Sequence, residues 1–78
     1  MNTASYTKIA NFILHCIEED DTFSVNSIHK SINEPELVIR DFLKQVDPDI
    51  TITYTTLVNI TNETEDRVRY FLSKEDFY

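Results

Sequence analysis

The chain has 78 residues, of which 41% are hydrophobic and 12% aromatic, and its formal net charge is -7. That length and apolar content make one folded domain over 1–78, with a core small for its surface, and the charge repels nucleic acid and anionic membranes while favouring basic partners. Glycine is absent, which excludes a Walker-type phosphate loop, a dinucleotide-binding turn and a nucleophile elbow, since each needs glycine for close backbone approach or positive φ.

Residues 6–19 place Ile9, Phe12, Ile13, Cys16 and Ile17 at helical spacing, so a first helix with one apolar face is expected, with Ser5 as its N-cap. It ends in Glu18, Glu19, Asp20 and Asp21. A short second helix is expected over 24–32. Ser24 caps it, Phe23 and Ile28 are placed as a hydrophobic staple, and Val25, Ile28 and Ile32 share a side. Asn33, Glu34, Pro35 and Glu36 signal the start of a third helix, with Asn33 or Glu34 as cap. Its buried stripe is Ile39, Phe42, Leu43 and Val46, and Asp47, Pro48 and Asp49 stop it.

Residues 50–60 alternate with period two. Ile50, Ile52, Tyr54, Thr56, Val58 and Ile60 fall on one face, which predicts a half-buried antiparallel strand. Residues 61–66 are expected to form a turn, and 67–73 a return strand with Val68, Tyr70 and Leu72 inward. On that reading Phe71 and Leu57 face outward and, with Phe77 and Tyr78, form an apolar patch. The patch is either covered by the chain or used as a homodimer interface.

The order helix, helix, helix, strand, strand resembles the winged helix-turn-helix superfamily, and the resemblance covers nearly the whole chain. Its most telling part is SVNSIHKSINEPELVIRDFLKQV, residues 24–46. This looks like that family's second helix, tight turn and third helix, with IRDFL at 39–43 in the apolar-Arg-x-x-Leu pattern. The resemblance implies a mainly α fold with a β-hairpin wing, ordered α-α-α-β-β. It further implies DNA contact through the third helix and the wing. The phosphate contacts available to it are Lys30, Arg40, Lys44, Arg67 and Arg69. The exposed third-helix positions (Glu34, Glu36, Arg40, Asp41 and Lys44) and the turn at 62–66 hold more acids than bases, whereas DNA binding draws most of its affinity from neutralised phosphates.

Two acidic stretches are candidate contact patches for a basic partner: Glu18, Glu19, Asp20 and Asp21, and Glu63, Glu65 and Asp66. The bland alternatives are a solvated helix end and a turn that pairs with Arg67 or Arg69. His15, Cys16 and His29 are too few and too badly spaced for a zinc site. Cys16 lies on the apolar stripe, where a thiol is inert. The two Asn-x-Thr triplets at 59–61 and 62–64 read as chance matches. No apolar run spans a bilayer, no secretory leader is visible and one cysteine makes no internal disulfide, so a cytoplasmic protein is expected. No catalytic residue, metal or cofactor is expected. The favoured function is a small acidic, non-enzymatic regulator acting through protein contacts as adaptor, co-regulator or inhibitor in gene expression. The alternatives are a DNA-binding transcription regulator and a phosphate mimic that blocks a DNA-binding enzyme, as small phage-encoded inhibitors do.

Overall fold

The computed structural model describes residues 3–55 and 61–75, and these contain four helices and no strand. They are α1 (Thr3–Glu18), α2 (Val25–Ile32), α3 (Glu36–Val46) and α4 (Asn62–Glu75). Helix α1 packs on all three others, α2 and α4 each rest on α1 and α3, and α2 and α4 do not meet. The expected α-α-α-β-β order and the winged-helix fold are therefore overturned: the residues assigned to the tip and return strand of the wing form a helix.

The first three helices form for the reasons their sequence gives. Ile9, Ile13 and Cys16 of α1 are buried, with Phe12 and Ile17 packed at the margin. The helix begins at Thr3, so Ser5 lies within it and is not its cap. Ser24 caps α2: the Ser27 amide donates to Ser24 Oγ at 3.1 Å, and the Ser24 amide donates to Ser27 Oγ at 2.8 Å. Phe23 and Ile28 are both buried, as a staple requires. Neither Asn33 nor Glu34 caps α3. Asn33 closes α2 in the left-handed conformation, with φ 58°, and Pro35 is the N-cap of α3, its carbonyl taking the first amides. Glu34 turns inward to pair with Lys8 at 3.4 Å, while its carbonyl meets His29 Nδ1 at 2.7 Å. Ile39, Phe42, Leu43 and Val46 are all buried. Full burial of such a side chain contributes about 1.5–3 kcal/mol, and together they seat α3 on α1.

The end of α1 is closed without glycine. Asp20 takes φ 53°, the Asp20 amide donates to the Ile17 carbonyl and the Asp21 amide to the Cys16 carbonyl. That hydrogen-bond pair normally has glycine at the left-handed position.

Of the period-two stretch, the described residues 50–55 form no regular element, and the chain bends at 54–55. Ile50 is buried and Ile52 partly so. The Tyr54 carbonyl accepts the Asn26 amide at 2.9 Å, satisfying one of the free N–H groups at the start of α2. Residues 67–73, expected as the partner strand, are helical and cannot pair with it.

Several forces make 62–75 a helix. Thr61 closes its first turn: the Thr64 amide donates to Thr61 Oγ1 at 3.1 Å and the Glu65 amide to the Thr61 carbonyl at 3.1 Å. Glu63 and Glu65 lie in the first turn, where the helix dipole favours anions. Each finds an arginine four residues on, Glu63 with Arg67 and Glu65 with Arg69. The inward positions, Thr64, Val68, Phe71 and Leu72, repeat at helical spacing. Tyr70, expected inward, is 71% exposed. Phe71, expected outward, packs against Phe42 with ring centroids 5.5 Å apart. Leu57, Phe77 and Tyr78, the other members of the expected apolar patch, lie outside the described residues.

The joint between α3 and α4 is polar and buried. Thr64 is 0% and Asp47 8% exposed. Thr64 Oγ1 donates to Asp47 Oδ2 at 2.5 Å, and the Asp49 amide donates to Asp47 Oδ1 at 3.0 Å. Arg67 Nη1 adds a bond to the Val46 carbonyl at 3.0 Å.

Two stability outcomes follow. Thr64→Val keeps the shape but removes the donor to a buried carboxylate, and urea unfolding is expected to show a loss of about 1.5–3 kcal/mol. Asp20→Gly relieves a left-handed non-glycine residue and removes a negative charge at a helix C-terminus. After the added freedom of the unfolded chain is offset, a gain of roughly 0.5–1 kcal/mol is expected in the same assay.

Candidate functional site

The two acidic stretches, far apart in sequence, converge. Arg69 of α4 pairs with Glu65 at 3.2 Å on its own helix and with Glu18 at the end of α1 at 3.7 Å. One guanidinium thus joins the 18–21 stretch to the first turns of α4. Glu18, Glu19, Asp20, Asp21, Glu63 and Asp66 are exposed and Glu65 is half-buried. The joined surface is Glu18, its neighbours Glu19, Asp20 and Asp21, and Glu65, with Arg69 between them. Glu63 lies about 200° around α4 from Glu65 and pairs with Arg67, and Asp66 lies about 100° from Glu65. The acids were expected at the end of a helix and at a hairpin tip; the latter group lies on the first turns of a helix.

The five basic residues considered for nucleic acid are spread over three helices. Lys30 is on α2, Arg40 and Lys44 on α3, Arg67 and Arg69 on α4. Arg40 Nε bonds Glu36 Oε1 at 2.9 Å. Without a hairpin beside α3, Arg67 and Arg69 have no wing stem to stand on.

A second feature escaped the sequence reading. Tyr6, Phe42, Gln45, Val46, Arg67, Tyr70 and Phe71 line a groove of about 200 Å³ between α1, α3 and α4. The rings of Tyr6 and Phe42 meet edge-on at 5.4 Å, and Phe42 meets Phe71 the same way. At its rim the Tyr6 hydroxyl donates to Asp41, while Gln45 Nε2 donates to both Tyr6 Oη and Asp41 Oδ2 at 3.1 Å. The hydrogen bond to Asp41, then burial and the Asp41 charge, raise the Tyr6 phenol above its ordinary 10.0, with Gln45 opposing. The signal available in the sequence was the i, i+4 pair Asp41 and Gln45, together with Tyr6 extending the Ile9–Ile13 stripe by one turn.

The remaining candidates have structural work to do. A hollow of about 310 Å³ carries Asp47, Asp49 and Glu63 on its wall, but Asp47 is committed to the α3–α4 joint and Glu63 to Arg67. Cys16 is buried, and burial followed by the nearby Asp21 charge pushes its thiol above 9.0, away from the reactive thiolate. Among the described residues no group of three or more His, Cys, Asp or Glu is arranged to hold a metal ion. No described helix is long and apolar enough to cross a membrane.

The raised Tyr6 value has a sign that can be checked. Folding favours the protonated phenol, so its contribution is whole below 10.0 and is lost as pH rises from there through the raised value. In a near-ultraviolet tyrosinate titration the step absent from Tyr6→Phe is expected above the ordinary range. Asp41→Asn is expected to move it down.

The sequence matches no protein-family model, and no curated protein or solved structure shows detectable similarity to it.

Proposed function

We propose that this chain is a small, acidic, non-enzymatic regulatory protein that acts by contacting another protein through the face joining the end of α1 to the first turns of α4. The observation that carries this reading is the sharing of Arg69 by Glu18 and Glu65. It joins Glu65 to the acidic run at the end of α1 and sets two carboxylates beside the one arginine between them. A face of this kind attracts a basic surface, speeds encounter with it and rejects acidic competitors. The contact would weaken as salt rises.

A DNA-reading role draws on the same bases, but three of the five are engaged by carboxylates: Arg40, Arg67 and Arg69. Lys30 and Lys44 are a small complement against a formal net charge of -7. The phosphate-mimic role is a narrower form of the protein contact, in which the partner's basic surface is one that otherwise holds DNA.

The immobilised chain is expected to retain proteins from an extract at low salt and release them as salt rises. The triple variant E18Q/E19Q/D20N is expected to hold the same proteins roughly tenfold less tightly with unchanged helix content. Mixed duplex DNA is expected not to bind at low salt. Duplex that binds, and loses binding in Lys30→Ala, Arg40→Ala and Lys44→Ala, would overturn the reading in favour of DNA recognition. Displacement of a retained protein by duplex DNA would single out the mimic.

A further inference from the structure

Asp66, Tyr70 and Lys74 stand four residues apart on α4 and form one outward stripe, opposite Val68. Tyr70 is exposed at the edge of the aromatic groove. Asp66 and Lys74 are exposed, and neither takes part in an ion pair among the described residues. In this they differ from Glu63, Glu65, Arg67 and Arg69, which are all paired on or across helices.

The stripe reads acid, aromatic, base, and it is its own complement when reversed. If a second α4 lies antiparallel with a two-fold axis beside Tyr70, position 66 of each copy faces position 74 of the other. Two Asp–Lys pairs then flank two tyrosines, and each tyrosine lies against the other copy's apolar groove. A self-complementary patch of this form is what an isologous contact requires. The acidic face stays outside the contact. Arg69, which holds Glu18, is about 200° around the helix from Arg67, which lines the groove.

We propose that two copies of this chain associate through α4, antiparallel about Tyr70, with Asp66 of each against Lys74 of the other. One helix face buries less than the roughly 1,600 Å² of a standard interface. Like net charge on the two copies also opposes approach. The association is therefore weak, and is seen at roughly 10 µM to 1 mM protein.

Sedimentation equilibrium on the full chain tests it, with charge reversal as the probe. Lys74→Glu makes the net charge more negative and Asp66→Lys makes it less so. Bulk repulsion alone would have the first weaken the dimer and the second strengthen it. Specific pairing has both weaken it, by roughly tenfold or more because each reversal counts twice. The double variant Asp66→Lys/Lys74→Glu is expected to restore association towards the wild-type level, and Tyr70→Ala to weaken it. All three side chains are exposed, and circular dichroism checks that α4 remains helical. The proposal is overturned by a wild-type chain that stays monomeric to about 1 mM. A dimer strengthened by Asp66→Lys, or a double variant no tighter than the single ones, would also overturn it.

Discussion

The bond from the Thr64 hydroxyl to the Asp47 carboxylate sets where the last helix begins and what it can reach. A buried carboxylate is costly unless its oxygens are bonded, and here one takes the Thr64 hydroxyl and the other the Asp49 amide. The same residue caps α3 through its own amide, which donates to the Leu43 carbonyl at 3.0 Å. Asp47 therefore couples the end of one helix to the first turn of the next. With that turn fixed, Val68 and Phe71 enter the core and Arg69 comes within reach of α1. The acidic face and the groove are both downstream of this joint.

Charge in this protein is organised by pairing within helices first and by exposure second. Arg40, Arg67 and Arg69 each take a glutamate four residues earlier, the more favourable orientation along a helix. Exposed pairs of this type add little stability each. On the surface they set a carboxylate beside each of these arginines, which lowers the local positive potential. What remains exposed and unneutralised is mostly carboxylate.

The first three helices could be read from the sequence because their signals are local. The Ser24 cap, the Phe23–Ile28 staple and the stripe of Ile39, Phe42, Leu43 and Val46 all rest on neighbours within one or two turns. Residues 61–75 carried equally local signals: Thr61 before a helix-favouring acidic turn, and two Glu–Arg pairs at four-residue spacing. Two things hid them. VRYFL at 68–72 also fits alternation, and short apolar runs are ambiguous between the two periods. The β-rich stretch at 50–60 then made a hairpin look complete, and the winged-helix resemblance supplied the expectation of one. At the site, the acids and arginines were each identifiable from sequence. Their meeting at Arg69, and the grouping of Tyr6, Phe42 and Phe71, depend on how α1, α3 and α4 pack, which no spacing within one segment reveals.

A chain without glycine must use side-chain-bearing residues wherever the backbone turns left-handed, and among the described residues they are Asp20 and Asn33. At Asp20 this ties backbone geometry to surface chemistry, since the residue that reverses the chain also carries one of the exposed carboxylates of the acidic face. A glycine there would suit the left-handed backbone better and remove one of these exposed charges. Backbone comfort and negative surface charge therefore make opposite demands on position 20.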